Sequence, residues 1–237
     1  MRAAPQSRRS SEGEVSTDRL VNKPKKRSAG ALFGVALSLL LVAAPASAVT
    51  TPFGVNLVKN PGAEAGLASS DGHAIVSVPH WETFAGATVA KYGQAKFPSQ
   101  AIGTAIHGGH QFFSAGDYDN GLGTCGDFRQ TIFLHGIGSA VDNGHVKASF
   151  KARVGTDFDA DVAHADLYFR DSNNHSVGFN GITRTRTGTN NNMLAVKGSH
   201  VLPKHTRELE VHLWADNVTA GYCNAYFDNI SVVISRV

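Results

Sequence analysis

Tyr222-Cys223-Asn224-Ala225-Tyr226-Phe227-Asp228-Asn229-Ile230-Ser231-Val232-Val233-Ile234 lies just before the C-terminus, with apolar residues at nearly every other position on both sides of an Asp-Asn pair. Such a run suits a strand buried within a sheet, with a neighbour along each edge. Asp228 sits in its middle. An unpaired buried carboxylate is costly, so the pattern predicts a compensating partner, either a cation or a cluster of hydrogen-bond donors.

The clearest alternation elsewhere is His145-Val146-Lys147-Ala148-Ser149-Phe150-Lys151-Ala152-Arg153, with Val146, Ala148, Phe150 and Ala152 on one face. It predicts a half-buried strand. The pattern recurs over 163–170 and 208–214, so three strands each have one wet face. Weaker strand candidates cover 54–59, 74–78, 87–92, 111–114, 128–134, 176–182 and 193–197. About ten short strands separated by Gly, Pro and Asn predict an all-β antiparallel sandwich or jelly roll. No βαβ rhythm supports a parallel α/β fold.

The first 48 residues read differently. Basic residues Arg8, Arg9, Lys23, Lys25, Lys26 and Arg27 precede an apolar run from Ala31 to Ala44, and Ala46-Ser47-Ala48 offers a small-x-small cleavage pattern. The 14-residue run is short for a span of about 30 Å of hydrocarbon, so 1–48 reads as a signal peptide and 49–237 as one secreted, extracellular β domain. The leader holds 8 of the 22 Lys+Arg and 3 of the 19 Asp+Glu, which leaves 14 against 16, a formal charge of −2 with His neutral. The basic pI therefore belongs to the leader. The remainder has no basic cluster interleaved with aromatics to draw it to nucleic acid, and no membrane attachment is expected after cleavage. In an exported chain, Cys125 and Cys223 read as a disulfide in preference to a metal pair or a nucleophile.

Asn56-Leu57-Val58-Lys59-Asn60-Pro61-Gly62-Ala63-Glu64 runs a strand into a strong turn signal with a carboxylate just beyond. With Val78-Pro79-His80-Trp81, Gly108-Gly109-His110-Gln111-Phe112-Phe113, Gln130-Thr131-Ile132 and Ala225-Tyr226-Phe227-Asp228-Asn229, it resembles the secreted jelly-roll modules of the galactose-binding-like superfamily, the fold of many carbohydrate-binding modules. The likeness extends over most of 56–234 through short motifs in the right order. It implies a structural calcium between the first and last strands, bound by Gly62, Glu64 and Asp228 with further carbonyls from 107–111. Calcium accepts six to eight hard oxygen ligands, including backbone carbonyls. The competing expectation is that donors alone satisfy Asp228. The resemblance also implies a non-catalytic carbohydrate-binding or surface-adhesion module with a poly- or oligosaccharide partner. A jelly-roll lyase or glycosidase and a structural envelope protein are the alternatives.

Other constellations are weaker. Asp157-Phe158-Asp159-Ala160-Asp161 fails as an EF-hand because Val162 and Tyr168 stand where Gly and Glu are required. No His-Glu-x-x-His and no Gly-x-Ser-x-Gly is present. Asp166 and Glu210 alternate onto wet faces and read as ordinary surface charges rather than a glycosidase pair. Asn217-Val218-Thr219 and Asn229-Ile230-Ser231 match the glycosylation sequon, the second within the buried strand. The ligand candidates are Tyr168, which shares a side with His164, Asp166 and Arg170, and Trp214, which shares one with His212. An aromatic ring among polar neighbours forms a platform for a sugar ring.

Overall fold

The computed structural model describes residues 49–116, 125–157, 161–178, 181–216 and 222–237; residues 1–48, expected to be a signal peptide, the sequon at 217–219 and most of the acidic turn, 158–160, lie outside the described residues. The strands in chain order are β1 (Glu82–Phe84), β2 (Thr88–Lys91), β3 (Gln111–Ser114), β4 (Asp127–Phe133), β5 (Val146–Thr156), β6 (Val162–Arg170), β7 (Ile182–Thr187), β8 (Leu194–Val201), β9 (Glu208–Asp216) and β10 (Ala225–Arg236). Two short helices, α1 (Gln100–Ile106) and α2 (Gly138–Asp142), join them.

The strands form two antiparallel five-stranded sheets, β1-β4-β9-β6-β7 and β2-β3-β10-β5-β8. Within them β3 pairs with β10, β4 with β9, β5 with β8 and β6 with β7. That nesting is a long double-stranded hairpin, tipped at β6–β7, rolled so that successive pairs fall in alternate sheets. The fold is thus a jelly roll. The inward residues of both sheets meet in one core that contains Phe113, Phe128, Phe150, Phe169, Leu213 and Phe227.

β10 is internal, as its apolar run predicts. It pairs with β5 along nearly its whole length, but the register slips between Asp228 and Ser231, a β-bulge with Asn229 in the left-handed region at φ 52°. On its other edge β10 pairs with β3 at Tyr226 and Phe227. Beyond the bulge the neighbour changes to the N-terminal segment, through Leu57 N to Val232 O and Gly54 N to Ile234 O, both 2.9 Å. Asn56 finishes the join: its Oδ1 accepts from Val232 N at 2.9 Å and its Nδ2 donates to Ile230 O at 3.0 Å. Because a side chain makes these bonds, 54–59 forms only an isolated bridge where the alternation predicts a strand.

The other departures are also local. Residues 74–78 form no strand; the Ala74 carbonyl is bonded by the Thr88 hydroxyl at 2.7 Å instead of by a ladder. Of the strand expected over 176–182, Ser176 forms an isolated bridge to Arg170 just after a turn held by the Asp171 carboxylate, and Ile182 opens β7; residues 179–180 lie outside the described residues. α1 is too short for periodicity to reveal; it begins at the Ser99 cap and ends at His107, φ 56°. Cys125 and Cys223 form the expected disulfide, with Cα atoms 5.6 Å apart.

Candidate functional site

Since Ala163, Ala165, Leu167 and Phe169 of β6 and Leu209, Val211 and Leu213 of β9 point into the core, the residues between them must point outward. Antiparallel register then sets them side by side: His164 opposite Trp214, Asp166 opposite His212, Tyr168 opposite Glu210 and Arg170 opposite Glu208. On the far side of β9, Asp127 lies opposite Trp214 and Arg129 opposite His212. All six residues expected from the sequence therefore share one outer face. In the sequence they fall on two separate sides, because alternation gives the face of each strand but not which strands adjoin.

Asp166 is the centre. It is only 2% exposed, which corrects its assignment as an ordinary surface charge. Its Oδ2 accepts from Trp214 Nε1 at 2.8 Å and from the Tyr168 hydroxyl at 3.1 Å, while Oδ1 has no hydrogen-bond partner among the described residues. The same is true of Asp127 Oδ1, Arg129 Nε, Arg170 Nε and His212 Nε2, all buried on this face. A concentration of unpaired polar atoms in one patch calls for a partner, whether water or ligand.

The rings are not bare platforms. His164 stacks on Trp214 with centroids 3.9 Å apart and planes within 9°, and Arg170 lies over the Tyr168 ring at 5.1 Å. Each ring thus has one face taken, so the site is a polar surface walled by aromatics. Arg170 also bonds Glu210 at 2.9 Å and Ser176 at 2.8 Å, and His164 meets Asp216 at 3.1 Å. Arg129 bonds Asp127 at 2.8 Å; His212 Nε2 lies 3.4 Å from Asp127 Oδ2, close enough for an ion pair but long for a hydrogen bond. Burial raises the Asp127 carboxyl, but contacts with His212 and Arg129 outweigh it and hold the group below its ordinary value. Asp127, Arg129, Glu210 and Asp216 complete the network. Asp127 and Arg129 were legible only as a short polar alternation before Gln130.

The second cluster lies at the bulge. Asp228 is fully buried; its Oδ1 accepts from Asn229 N and its Oδ2 from the Tyr92 hydroxyl, both at 2.6 Å. Burial pushes its carboxyl up to about 7, against the pull of those donors and with added repulsion from Glu64. Glu64 Oε1 accepts from His110 N and Gln111 N, each at 2.8 Å. Gly62 and Gly108 pack against Asp228 and Gly109 against Glu64, so closely that a Cβ at any of the three would press on a carboxylate. Two carboxylates at one glycine cradle suit the hard oxygen chemistry of calcium. Donors already occupy Glu64 Oε1 and both Asp228 oxygens, so any ion would rely on the remaining lone pairs and on carbonyls. Among the described residues no group of three or more His, Cys, Asp or Glu is placed to hold a metal.

The Tyr168 phenol is pushed up to about 12, by burial first and then by the Asp166 charge and hydrogen bond. A raised pKa in the folded state means that this group's contribution is complete below about pH 10 and is lost as pH rises towards 12. Urea midpoints measured from pH 9 to 11.5 should therefore fall more steeply for wild type than for Tyr168→Phe. Parallel slopes would contradict a phenol raised by burial and by the Asp166 charge.

No family model and no curated protein matches the chain. Among the described residues no helix is long and apolar enough to cross a membrane. Among solved structures, the chain is similar to the enzymatically active domain of tailspike protein 4 of bacteriophage CBA120, at 16% identity and TM-score 0.44 over 76% of this chain. That match spans 22% of the tailspike chain. It is also similar to a cyclase from Fischerella sp. TAU, at 14% identity and TM-score 0.43 over 80% of this chain and 99% of the cyclase. A third similarity is to the C-terminal family 22 carbohydrate binding module of Clostridium thermocellum Xyn10B, at 12% identity and TM-score 0.38 over 67% of this chain and 87% of that one. The jelly-roll assignment itself rests on the strand pairing described above.

Proposed function

We propose that the protein is a secreted, non-catalytic carbohydrate-binding or surface-adhesion module, and that an oligosaccharide lies across the outer face of β4, β9 and β6. The observation that carries this is the set of unpaired acceptors and donors around Asp166, bounded by the rings of Trp214, Tyr168 and His212. A sugar hydroxyl both donates and accepts, and its C–H faces pack on aromatic rings, so one ligand class answers both features. Binding to a glycan array should weaken about twofold to tenfold in Trp214→Ala and Tyr168→Ala, in line with roughly 0.5 to 1.5 kcal/mol per aromatic contact. Wild-type affinity in both variants would rule this face out.

A jelly-roll lyase or glycosidase is the second reading, favoured by the convergence of Tyr168, His164, Arg170 and His212 on one face. Two features weigh against it. Arg170 is engaged by Glu210, and burial together with the Asp166 charge keeps Tyr168 protonated, which makes it a poor base. Soluble products released from a bound polysaccharide, and lost in His212→Ala, would favour the enzyme.

We also propose that Gly62, Glu64 and Asp228 bind a structural calcium. Its neutralising charge would favour the ionised form of a carboxylate that burial disfavours. At a hundredfold excess over Kd, calcium adds about 2.7 kcal/mol, or roughly 5–10 °C in Tm for a domain of this size. Melting in millimolar calcium against EGTA checks this; an unchanged Tm means that Tyr92 and the backbone donors suffice.

A further inference from the structure

We propose that the preferred ligand of the outer face is an amino sugar, whose protonated amine sits against Asp166 Oδ1. This inference rests on the carbohydrate reading of that face and narrows it.

The first support is charge. By alternation the face carries six carboxylates, Glu82, Asp127, Asp166, Glu208, Glu210 and Asp216, against two guanidiniums, Arg129 and Arg170, a net of −4 with His neutral. Both guanidiniums are already engaged, Arg129 by Asp127 and Arg170 by Glu210. Asp216 has His164 beside it. A uronic acid would therefore meet like charge, and among the described residues of this face no guanidinium is left without a carboxylate partner to receive it.

The second support is Asp166 itself, which differs from the paired acids around it. Its donors, an indole N–H and a phenol O–H, are both neutral. His212, opposite it in the ladder, has its Nε2 turned to Asp127. At 2% exposure Asp166 thus has neutral donors on one oxygen and no hydrogen-bond partner on the other among the described residues. A hydroxyl would supply a hydrogen bond to Oδ1, whereas an ammonium supplies both the bond and the countercharge. The donors left open at Arg129 Nε and Arg170 Nε suit the hydroxyl and ring oxygens of the same sugar.

Isothermal titration of the purified full chain at pH 6 and low salt, with four probes, tests this. They are a β-1,4-linked glucosamine tetramer, its N-acetylated counterpart, a galacturonate tetramer and spermidine. The glucosamine tetramer should bind on the order of tenfold tighter than the acetylated one, as expected for a charge-assisted hydrogen bond. That advantage should shrink in 0.5 M NaCl. Asp166→Asn should abolish that advantage, bringing the two tetramers to equal affinity, whatever it does to the affinity of either. Because that substitution also touches Trp214 and Tyr168, the comparison of tetramers on wild type stands independently of it. Equal or tighter binding of the acetylated or galacturonate tetramer overturns the amine assignment and leaves the carbohydrate reading intact. Spermidine binding as tightly as the glucosamine tetramer would show an ammonium site without a sugar and overturn the assignment too. Binding of none of the probes, together with a blank glycan array, overturns both.

Discussion

The bulge at Asp228 and Asn229 is the constraint on which the architecture depends. A central strand needs a partner along each edge, but β3 covers only the first part of β10 and the N-terminal segment only the last. The bulge marks the change of partner. It places a carboxylate inside the protein at that point, where Tyr92, Asn229 N and the glycine turns close around it. The two ends of the domain are thereby joined through one strand, and the disulfide ties the start of the same strand to the entrance of β4.

What the clasp supports is the opposite sheet. The core-facing aliphatic and aromatic residues of β6 and β9 fix those strands against the sheet that contains β10, and alternation leaves the intervening residues on the outer face. The outer side chains are then held by one another. Trp214 is fixed by Asp166 and His164, and Tyr168 by Asp166 and Arg170.

The fold was legible because hydrophobic period is a local property. The strand at 111–114 is found as expected, and the buried character of the last strand follows from its apolar run. Its disulfide followed from cysteine count and compartment. The six ligand candidates were legible as residues on wet faces, but their meeting depends on the register between β6 and β9, which no local pattern carries. The depth of Asp166 was illegible for the same reason, since the Trp214 indole reaches it only once β6 and β9 pair. Segments 54–59 and 74–78 were misjudged where side chains replaced ladder hydrogen bonds.

The central claim is that ligand binding belongs to the outer face of β6 and β9, whereas the Asp228 cluster is structural. The chain has two tryptophans, so its ¹⁵N spectrum carries two indole N–H signals. Trp214 Nε1 reports on Asp166, and the buried Trp81, bonded to Asn60 O at 3.1 Å, reports on the N-terminal turn beside the clasp. On titration with a bound oligosaccharide the Trp214 signal should move and saturate while that of Trp81 stays in place. Movement of Trp81 with a stationary Trp214 would contradict the account.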